Sequence, residues 1–267
     1  MKTNSSPWYR FSTSLLLQMK EYRARLLPLT FVALLPIGFW AGAFFSLPPD
    51  SEPIPAYWID QLTPVVGRFA LTEIAERDTW PFDTGFIGMG WGLGAAALFS
   101  VIGSGARDRR LVLSGYKPWE ILIARFTILF LIALPISLIP LGLVSFFSGA
   151  SPTYPALVWL GSLMAGVIGV GVGLIVGSLL PRQLEGTILI IGLVGIELSV
   201  PLGVTFRHYL PFFGPQALFT AGRFAVDPIV AGHIVRSLAW ALGLSLAAIA
   251  LWTWRVRVHS WERIAGR

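Results

Sequence analysis

Apolar residues are concentrated in six long runs that alternate with shorter polar intervals along the chain. The runs cover residues of about 26–47, 85–104, 120–147, 156–180, 184–203 and 229–254. A helix needs roughly 20 apolar residues to cross a hydrocarbon core about 30 Å thick, and each run reaches that length. The runs are continuous rather than alternating, which excludes a transmembrane β-barrel. The pattern therefore predicts an all-α membrane protein with six transmembrane helices.

A further helix is predicted before the first span, over residues 7–26. Apolar residues recur there at spacings of three and four, and charged residues occupy many of the other positions. The apolar set consists of Trp8, Phe11, Leu15, Met19, Tyr22 and Leu26. This spacing is typical of an amphipathic helix that lies in the membrane interface.

The composition agrees with a membrane protein that spans the bilayer several times. Hydrophobic residues make up 55% of the 267-residue chain and charged residues 13%, whereas soluble domains carry about 25% charged residues. The net charge of +6 does not indicate nucleic-acid binding, because the basic residues lie beside apolar runs, where they determine topology.

The distribution of charge predicts which side each loop occupies. If the N-terminus is cytoplasmic, 15 of the 20 basic residues, including all three lysines, fall on the cytoplasmic side. The first outer loop, over about 48–84, is acidic by contrast. Cytoplasmic loops are enriched in Lys and Arg, so we expect both termini to be inside.

The motifs of several enzyme classes are missing from the sequence. No Gly-Lys pair occurs, so the chain lacks the G-x-x-x-x-G-K-[ST] loop that binds nucleotide phosphates. The H-E-x-x-H and G-x-S-x-G patterns are also missing. We therefore expect no enzyme activity and no catalytic, cofactor-binding or metal-binding residues in this chain.

The polar interval between the second and third spans, over about 105–119, is longer than a tight turn requires. Its sequence continues as "RRLVLSGYKPWEILIARF" over 109–126 and combines basic with apolar residues. It predicts a short surface helix, a turn at Gly115–Pro118 and entry into the third span at residue 120. Two interpretations remain: a basic loop anchored by an interfacial Trp, or a docking surface for a cytoplasmic partner.

Small residues recur every four positions in the fourth span. They are Gly161, Ala165, Gly169, Gly173 and Gly177, and the second span carries Gly88, Gly92 and Ala96 in the same way. Such ridges let helices approach closely in lipid. We expect a helix interface here, either within the chain or with another subunit.

Two features mark the last two spans: an ionisable residue within the fifth span, and an apolar but interrupted interval between the fifth and the sixth. Glu197 is predicted to be the only ionisable residue deep in a span, which by default marks a transport pathway or a paired site. It could contact a cationic substrate, be protonated, or be satisfied by the backbone or Ser199. The interval 204–227 is apolar but broken by Pro211, Gly214 and Pro215, which predicts two short interfacial or re-entrant helices.

The ordered combination of these features resembles the transmembrane permease subunits of type-2 ABC exporters (the ABC-2 family). The shared elements are an N-terminal amphipathic elbow helix (7–26), six spans with both ends inside, a substantial loop between spans two and three, and a re-entrant element before span six. The first outer loop is longer and more acidic than a minimal member of that family would require.

The resemblance implies a single ABC-2-type transmembrane domain over 1–267 in the plasma or inner membrane. It further implies two copies of a separate ATPase subunit that hold ATP and Mg²⁺, and a second permease chain, identical or related. Its implied substrate is hydrophobic or amphipathic: a drug, antibiotic, peptide or lipid. Residues implied to contact the ATPase lie in the loop after span two and in the "PRQLEG" turn (181–186); they are Arg109, Arg110, Gly115, Tyr116, Lys117, Pro118, Trp119, Glu120, Arg182 and Glu185.

Three other classes remain as alternatives. A proton-coupled secondary transporter would use Glu197, an intramembrane lipid-modifying enzyme would use Glu197 or the outer His residues, and a membrane scaffold would need neither. A Glu197→Gln substitution separates the first of these from an ATP-driven exporter, because it removes the group that would carry the proton.

Overall fold

The computed structural model describes residues 6–24, 26–47, 56–68, 80–148, 151–199 and 205–265. The described residues form helices and contain no strand. The helices are α1 (Pro7–Ala24), α2 (Leu26–Ser46), α3 (Ala56–Val66), α4 (Trp80–Leu113), α5 (Pro118–Ile136), α6 (Leu138–Phe147), α7 (Pro155–Leu179), α8 (Gln183–Ser199), α9 (Phe213–Phe224) and α10 (Ala231–Ala265), with a 3₁₀ turn at Thr205–Tyr209.

Among the described residues, four helical segments are long and apolar enough to cross a membrane. They are Trp80–Leu113, Pro118–Phe147, Pro155–Leu179 and Ala231–Val256. This result agrees with a membrane protein. Helices α2 and α8 are also apolar and occupy the first and fifth of the six predicted spans.

The third predicted span consists of two helices, α5 and α6, that meet at Ser137. Pro140 has no N–H to donate to the carbonyl of Ile136, so the regular hydrogen-bond ladder is interrupted there. The two helices still form one apolar segment of 30 residues.

The centre of the molecule is the contact between α4 and α7, which run against each other through glycines. An added Cβ at Gly173 would collide with the carbonyl oxygen of Gly94, and one at Gly169 would collide with the backbone of Gly90. Gly177 lies against Leu98 in the same way. Three of the four predicted interface glycines of α7 therefore pack against α4 within this chain, because the missing side chains allow the two backbones to approach so closely.

The remaining small residues of these ridges contact two other helices. Gly161, at the start of α7, lies against α9, where an added Cβ would be 2.7 Å from the carbonyl oxygen of Pro215. Gly88 of α4 lies against α2, where an added Cβ would be 2.8 Å from Cα of Pro36. The glycines of α4 and α7 thus bring four helices together.

Helix α9 is enclosed by its neighbours, and all twelve of its side chains are buried. It packs against α7, α10 and α3 at one end of the bundle, here called the α9 end. Helix α1 packs against α5 at the other end, here called the α1 end. The apolar character predicted for 204–227 is thereby explained, since the helical part of this interval belongs to the core.

The interval 105–119 differs from the prediction. No separate surface helix forms, because α4 continues without interruption to Leu113. The segment 105–113 contains no proline and no second glycine after Gly105, and its Asp108 side chain is anchored in the interior. The helix therefore continues until Gly115 ends it.

Three predicted boundaries also differ or extend beyond the described part of the chain. Helix α4 begins at Trp80, within the predicted outer loop 48–84, and α3 lies in the same loop; residues 48–55 and 69–79 are outside the described residues. Helix α8 ends at Ser199, and positions 200–203 of the predicted fifth span are likewise outside them.

Candidate functional site

The turn between α4 and α5, residues 114–117, is held by backbone hydrogen bonds. Gly115 donates its N–H to the carbonyl of Val112 at 3.0 Å, and Tyr116 donates to that of Leu111 at 3.0 Å. Gly115 has φ of +95°, a conformation that costs glycine little. This pair of bonds is a Schellman motif, which ends α4 in a defined direction.

Glu120 connects this turn to helix α1. One carboxylate oxygen accepts the backbone N–H of Lys117 at 3.0 Å, and the other accepts Nη2 of Arg10 at 3.3 Å. The side chain is only 1% exposed. Pro118 occupies the first turn of α5, where a backbone N–H would have no partner within the helix, so proline costs no hydrogen bond there. Glu120 is therefore a structural support of the turn and does not reach its surface.

The outer surface of this region is basic and aromatic. Arg109, Arg110 and Lys117 are exposed, and Trp119 is 41% exposed. Nζ of Lys117 lies 5.9 Å from the centre of the Trp119 ring. Tyr116 and Pro118 are half-buried. Of the residues predicted to contact a partner here, all except Glu120 thus retain some exposed surface.

Helix α1 packs against the protein with its polar side. Arg10, Ser14, Gln18 and Glu21 form a stripe at helical spacing, and Ser14 and Gln18 are buried. Glu21 forms an ion pair with Arg107, whose Nη2 also donates to Oε1 of Gln18 at 3.2 Å. On the opposite side Trp8 is 74% exposed, and Tyr9, Leu16 and Met19 are exposed too. An exposed apolar side and a buried polar side suit a helix whose surroundings are lipid.

Behind α1 lies a buried ion pair between α4 and α5. Nη2 of Arg125 is 2.7 Å from Oδ2 of Asp108 and also donates to Oγ of Ser104. Both charged side chains are fully buried, and the Arg125 guanidinium stacks over the Trp252 ring of α10 at 5.7 Å. Nearby, burial raises the pKa of Tyr22 to about 12, although the charge of Arg125 opposes this shift.

The sequence pattern did not predict this buried ion pair, because Asp108 and Arg125 lie close to the predicted cytoplasmic ends of their spans, where charged residues are common. A usable signal was present, because Ser100, Ser104 and Asp108 recur every four residues and so form a polar stripe on one face of α4.

Arg182 and Glu185 do not meet the α4–α5 turn. Both are exposed, and Nη1 of Arg182 lies 3.0 Å from Oε1 of Glu185. Contacts of Gly94 with Ile190 and of Gly186 with Leu98 show that α8 runs antiparallel to α4, residue for residue. Arg182 is then level with Ile102, so the end of α4 extends about 16 Å further. Any partner that binds both regions must have a stepped surface.

Glu197 lies near the α9 end of α8 and is largely buried. The backbone N–H of Phe212 donates to its Oε1, and the Arg207 guanidinium attracts its charge. Arg207 in turn donates to Oε1 of Gln216. Of the alternatives for Glu197, the structure places both a backbone partner and an open cavity beside it; the side chain of Ser199 is outside the described residues.

A second buried guanidinium lies at the α9 end. Nη1 of Arg223 is 3.4 Å from Oδ1 of Asp83, and the group stacks over the rings of Phe224 and Phe82 at 4.3 and 4.8 Å. This pair joins α9 to α4, as the Asp108–Arg125 pair joins α4 to α5. Among the described residues no group of three His, Asp or Glu side chains is arranged to hold a metal ion.

The chain was also compared with known proteins. No protein-family model matches it, and no curated protein matches it. The function of the chain is therefore inferred from its sequence pattern and from the geometry described above.

Proposed function

We propose that this chain is the transmembrane subunit of an ATP-driven exporter of the type-2 ABC class. It would move a hydrophobic or amphipathic substrate outward, with ATP hydrolysed by a separate subunit. The observation that carries the proposal is the α4–α5 turn: a stiff, basic and aromatic surface at the tip of α4, supported from behind by Glu120. The absence of a P-loop from the sequence requires that the ATPase be another chain.

The proposed complex contains two permease chains and two ATPase subunits in the plasma or inner membrane. In each permease, α2 and α8 join the four long apolar segments as spans one and five, and both termini are cytoplasmic. Helix α1 is the elbow helix in the interface, which its exposed apolar side supports. The segment 204–227 is the re-entrant element, which the complete burial of α9 supports.

The proposed mechanism transmits a push from the ATPases into the helices. Closure of the ATPases on ATP would press on the α4–α5 turn. Because Glu120 bonds both Lys117 and Arg10, the turn and α1 would move together. The Asp108–Arg125 pair would pass the movement from α4 to α5, and a rigid-body shift of packed helices would open the path.

The test is co-purification of a P-loop ATPase with the tagged chain from its native membranes in mild detergent. The docking variant combines Lys117→Glu with Trp119→Ala, two exposed positions of the turn and the start of α5. We expect the wild type to retain the ATPase and the docking variant to lose it. Phe146→Ala, an exposed position at the opposite end of the bundle, is the control and should retain it.

Two results would contradict the proposal. One is a wild-type chain that purifies without any ATPase and shows no ATP-dependent transport with any co-expressed partner. The other is full ATPase binding and full transport by the docking variant, which would move the contact away from the turn.

The competing proposal is a proton-coupled carrier. The position of Glu197, which is largely buried and lines an open cavity, supports this alternative. Glu197→Gln separates the two, because the amide preserves the hydrogen bond from Phe212 but carries no proton. An exporter driven by ATP should keep most of its transport in this variant. A proton-coupled carrier should lose it completely.

A further inference from the structure

An open cavity of about 420 Å³ lies near the α9 end, between α7, α8, α10 and the segment 206–212. All of the described residues that line it are aliphatic or aromatic except Glu197. The lining comes from Val172, Ile175 and Val176 of α7, Leu193, Val194 and Ile196 of α8, Leu244 of α10, and Phe206, Leu210, Pro211 and Phe212. Both the volume and the apolar lining are typical of sites that hold small hydrophobic ligands.

The cavity is open on the side formed by α8 and the 3₁₀ turn. Ile196 and Phe206 line it and are nevertheless 70% and 67% exposed. The apolar surface continues along α8 through Ile188 and Leu189, which are exposed as well. In a chain embedded in a membrane this face adjoins hydrocarbon, so a ligand can enter from the bilayer without crossing water.

Glu197, the one ionisable residue among the described lining residues, already has partners within the protein. Glu197 accepts the Phe212 N–H and lies within the field of Arg207. A cationic ligand would compete with Arg207 for the carboxylate, and an anionic ligand would be repelled by it. Neither kind of headgroup therefore gains from entering the cavity, whereas a hydrocarbon chain buries apolar surface against eleven apolar residues.

We propose that this cavity binds one acyl chain of a membrane lipid, which enters sideways between α8 and the 3₁₀ turn. The inference depends on the membrane location of the chain and is independent of the proposed exporter function. Since the acyl chain would contact α7, α8 and α10 together, it would fill the space between these three helices.

The experiment uses the full chain in lipid discs that contain phosphatidylcholine with a diazirine on one acyl chain. After irradiation, mass spectrometry locates the adducts. We expect them to concentrate on inward-facing lining residues, Val172, Val176 and Leu244, in addition to the exposed surface. Val172→Phe narrows the cavity and should lower these adducts about tenfold, the loss expected when roughly two methylene groups of the acyl chain no longer fit.

The matched control is Val235→Phe, which makes the same substitution at an exposed position of α10 that does not line the cavity. It should leave the lining adducts unchanged. Val194→Ala enlarges the cavity and should retain or increase the lining adducts. A loss of adducts in Val172→Phe alone is then due to the reduced space and not to the substitution of a lining residue as such. Adducts spread evenly over all exposed apolar residues, and insensitive to Val172→Phe, would overturn the proposal.

A competition experiment distinguishes an acyl chain from a hydrophobic cation. Dodecyl maltoside, dodecanoate and dodecyltrimethylammonium carry the same alkyl chain with neutral, negative and positive headgroups. At equal concentrations in the bilayer all three should displace the lipid adduct equally. Displacement by the cation alone, abolished by Glu197→Gln, would overturn the acyl-chain assignment in favour of a site for cationic amphiphiles.

Discussion

Asp108 and Arg125 each depend on the other, because neither side chain reaches solvent. Removing one partner of a buried ion pair leaves an uncompensated charge, which commonly costs about 3–5 kcal/mol. Replacing both partners with apolar residues of similar size removes the desolvation cost together with the attraction. The loss of one partner should therefore destabilise the fold more than the replacement of both.

We therefore predict that Asp108→Ala destabilises the protein by about 3–5 kcal/mol. The double variant Asp108→Leu with Arg125→Met should recover most of that loss. Unfolding by SDS in mixed micelles provides the measurement. Glu185→Ala, which breaks an exposed ion pair, is the control and should change stability little. Equal effects of Asp108→Ala and Glu185→Ala would contradict the described burial.

At the scale of single elements, close packing of α4 on α7 depends on glycine. Gly173 faces the backbone of Gly94, and a backbone cannot move aside as the end of a flexible side chain can. Gly243 of α10, by contrast, has no atom within 4 Å of an added Cβ. The two positions offer the same substitution in opposite surroundings.

Gly173→Ala is expected to destabilise the protein by roughly 1–3 kcal/mol, the usual cost of overpacking. Gly243→Ala should be neutral or slightly stabilising, because alanine favours the helix. The same SDS titration compares them. If Gly173→Ala proved as harmless as Gly243→Ala, α4 and α7 would not be in the described register.

Helix α1 is attached through its polar side, and Arg107 makes two of the bonds that hold it. We predict that Arg107→Ala increases amide hydrogen exchange over residues 7–24 about tenfold or more, since a hydrogen bond to a charged group contributes about 1.5–3 kcal/mol. Lys20→Ala, at an exposed position of the same helix, should leave the exchange unchanged. Protection of α1 that survives Arg107→Ala would contradict the role assigned to these two bonds.

At the scale of the whole molecule, the charge asymmetry predicts that both termini and the α4–α5 turn lie inside. The sequence contains no cysteine, so single cysteines can be introduced without a background. A membrane-impermeant maleimide should label Ser151→Cys in intact cells and Arg110→Cys only after permeabilisation. The unmodified chain is the control and should remain unlabelled. The reverse pattern would invert the proposed topology.

Much of the helical architecture could be predicted because apolar length and spacing are local properties. The segments 156–180 and 229–254 correspond to α7 and α10, and the apolar interval 204–227 contains the helix α9. The continuation of α4 to Leu113 was not predicted, although no proline or further glycine interrupts 106–113; the pairing of Asp108 with Arg125 of another helix could not be read from a local pattern. The exposure of residues at the candidate site also depends on distant parts of the chain. Lys117 is exposed, whereas Glu120 is buried against Arg10, which lies 110 residues earlier.

The sequence by itself determined long helices, four of them among the described residues apolar enough to cross a membrane, since hydrophobic length is a property of consecutive residues. It also determined that the chain has no P-loop. Only the tertiary structure decided which side of α1 faces the protein, which helices the glycine ridges join, and that Asp108 and Arg125 are a pair. The cavity beside Glu197 also exists only in the tertiary structure, because its walls come from three helices and the segment 206–212. These features arise between residues distant in the chain, and their energies depend on desolvation and close contact, which no local pattern specifies.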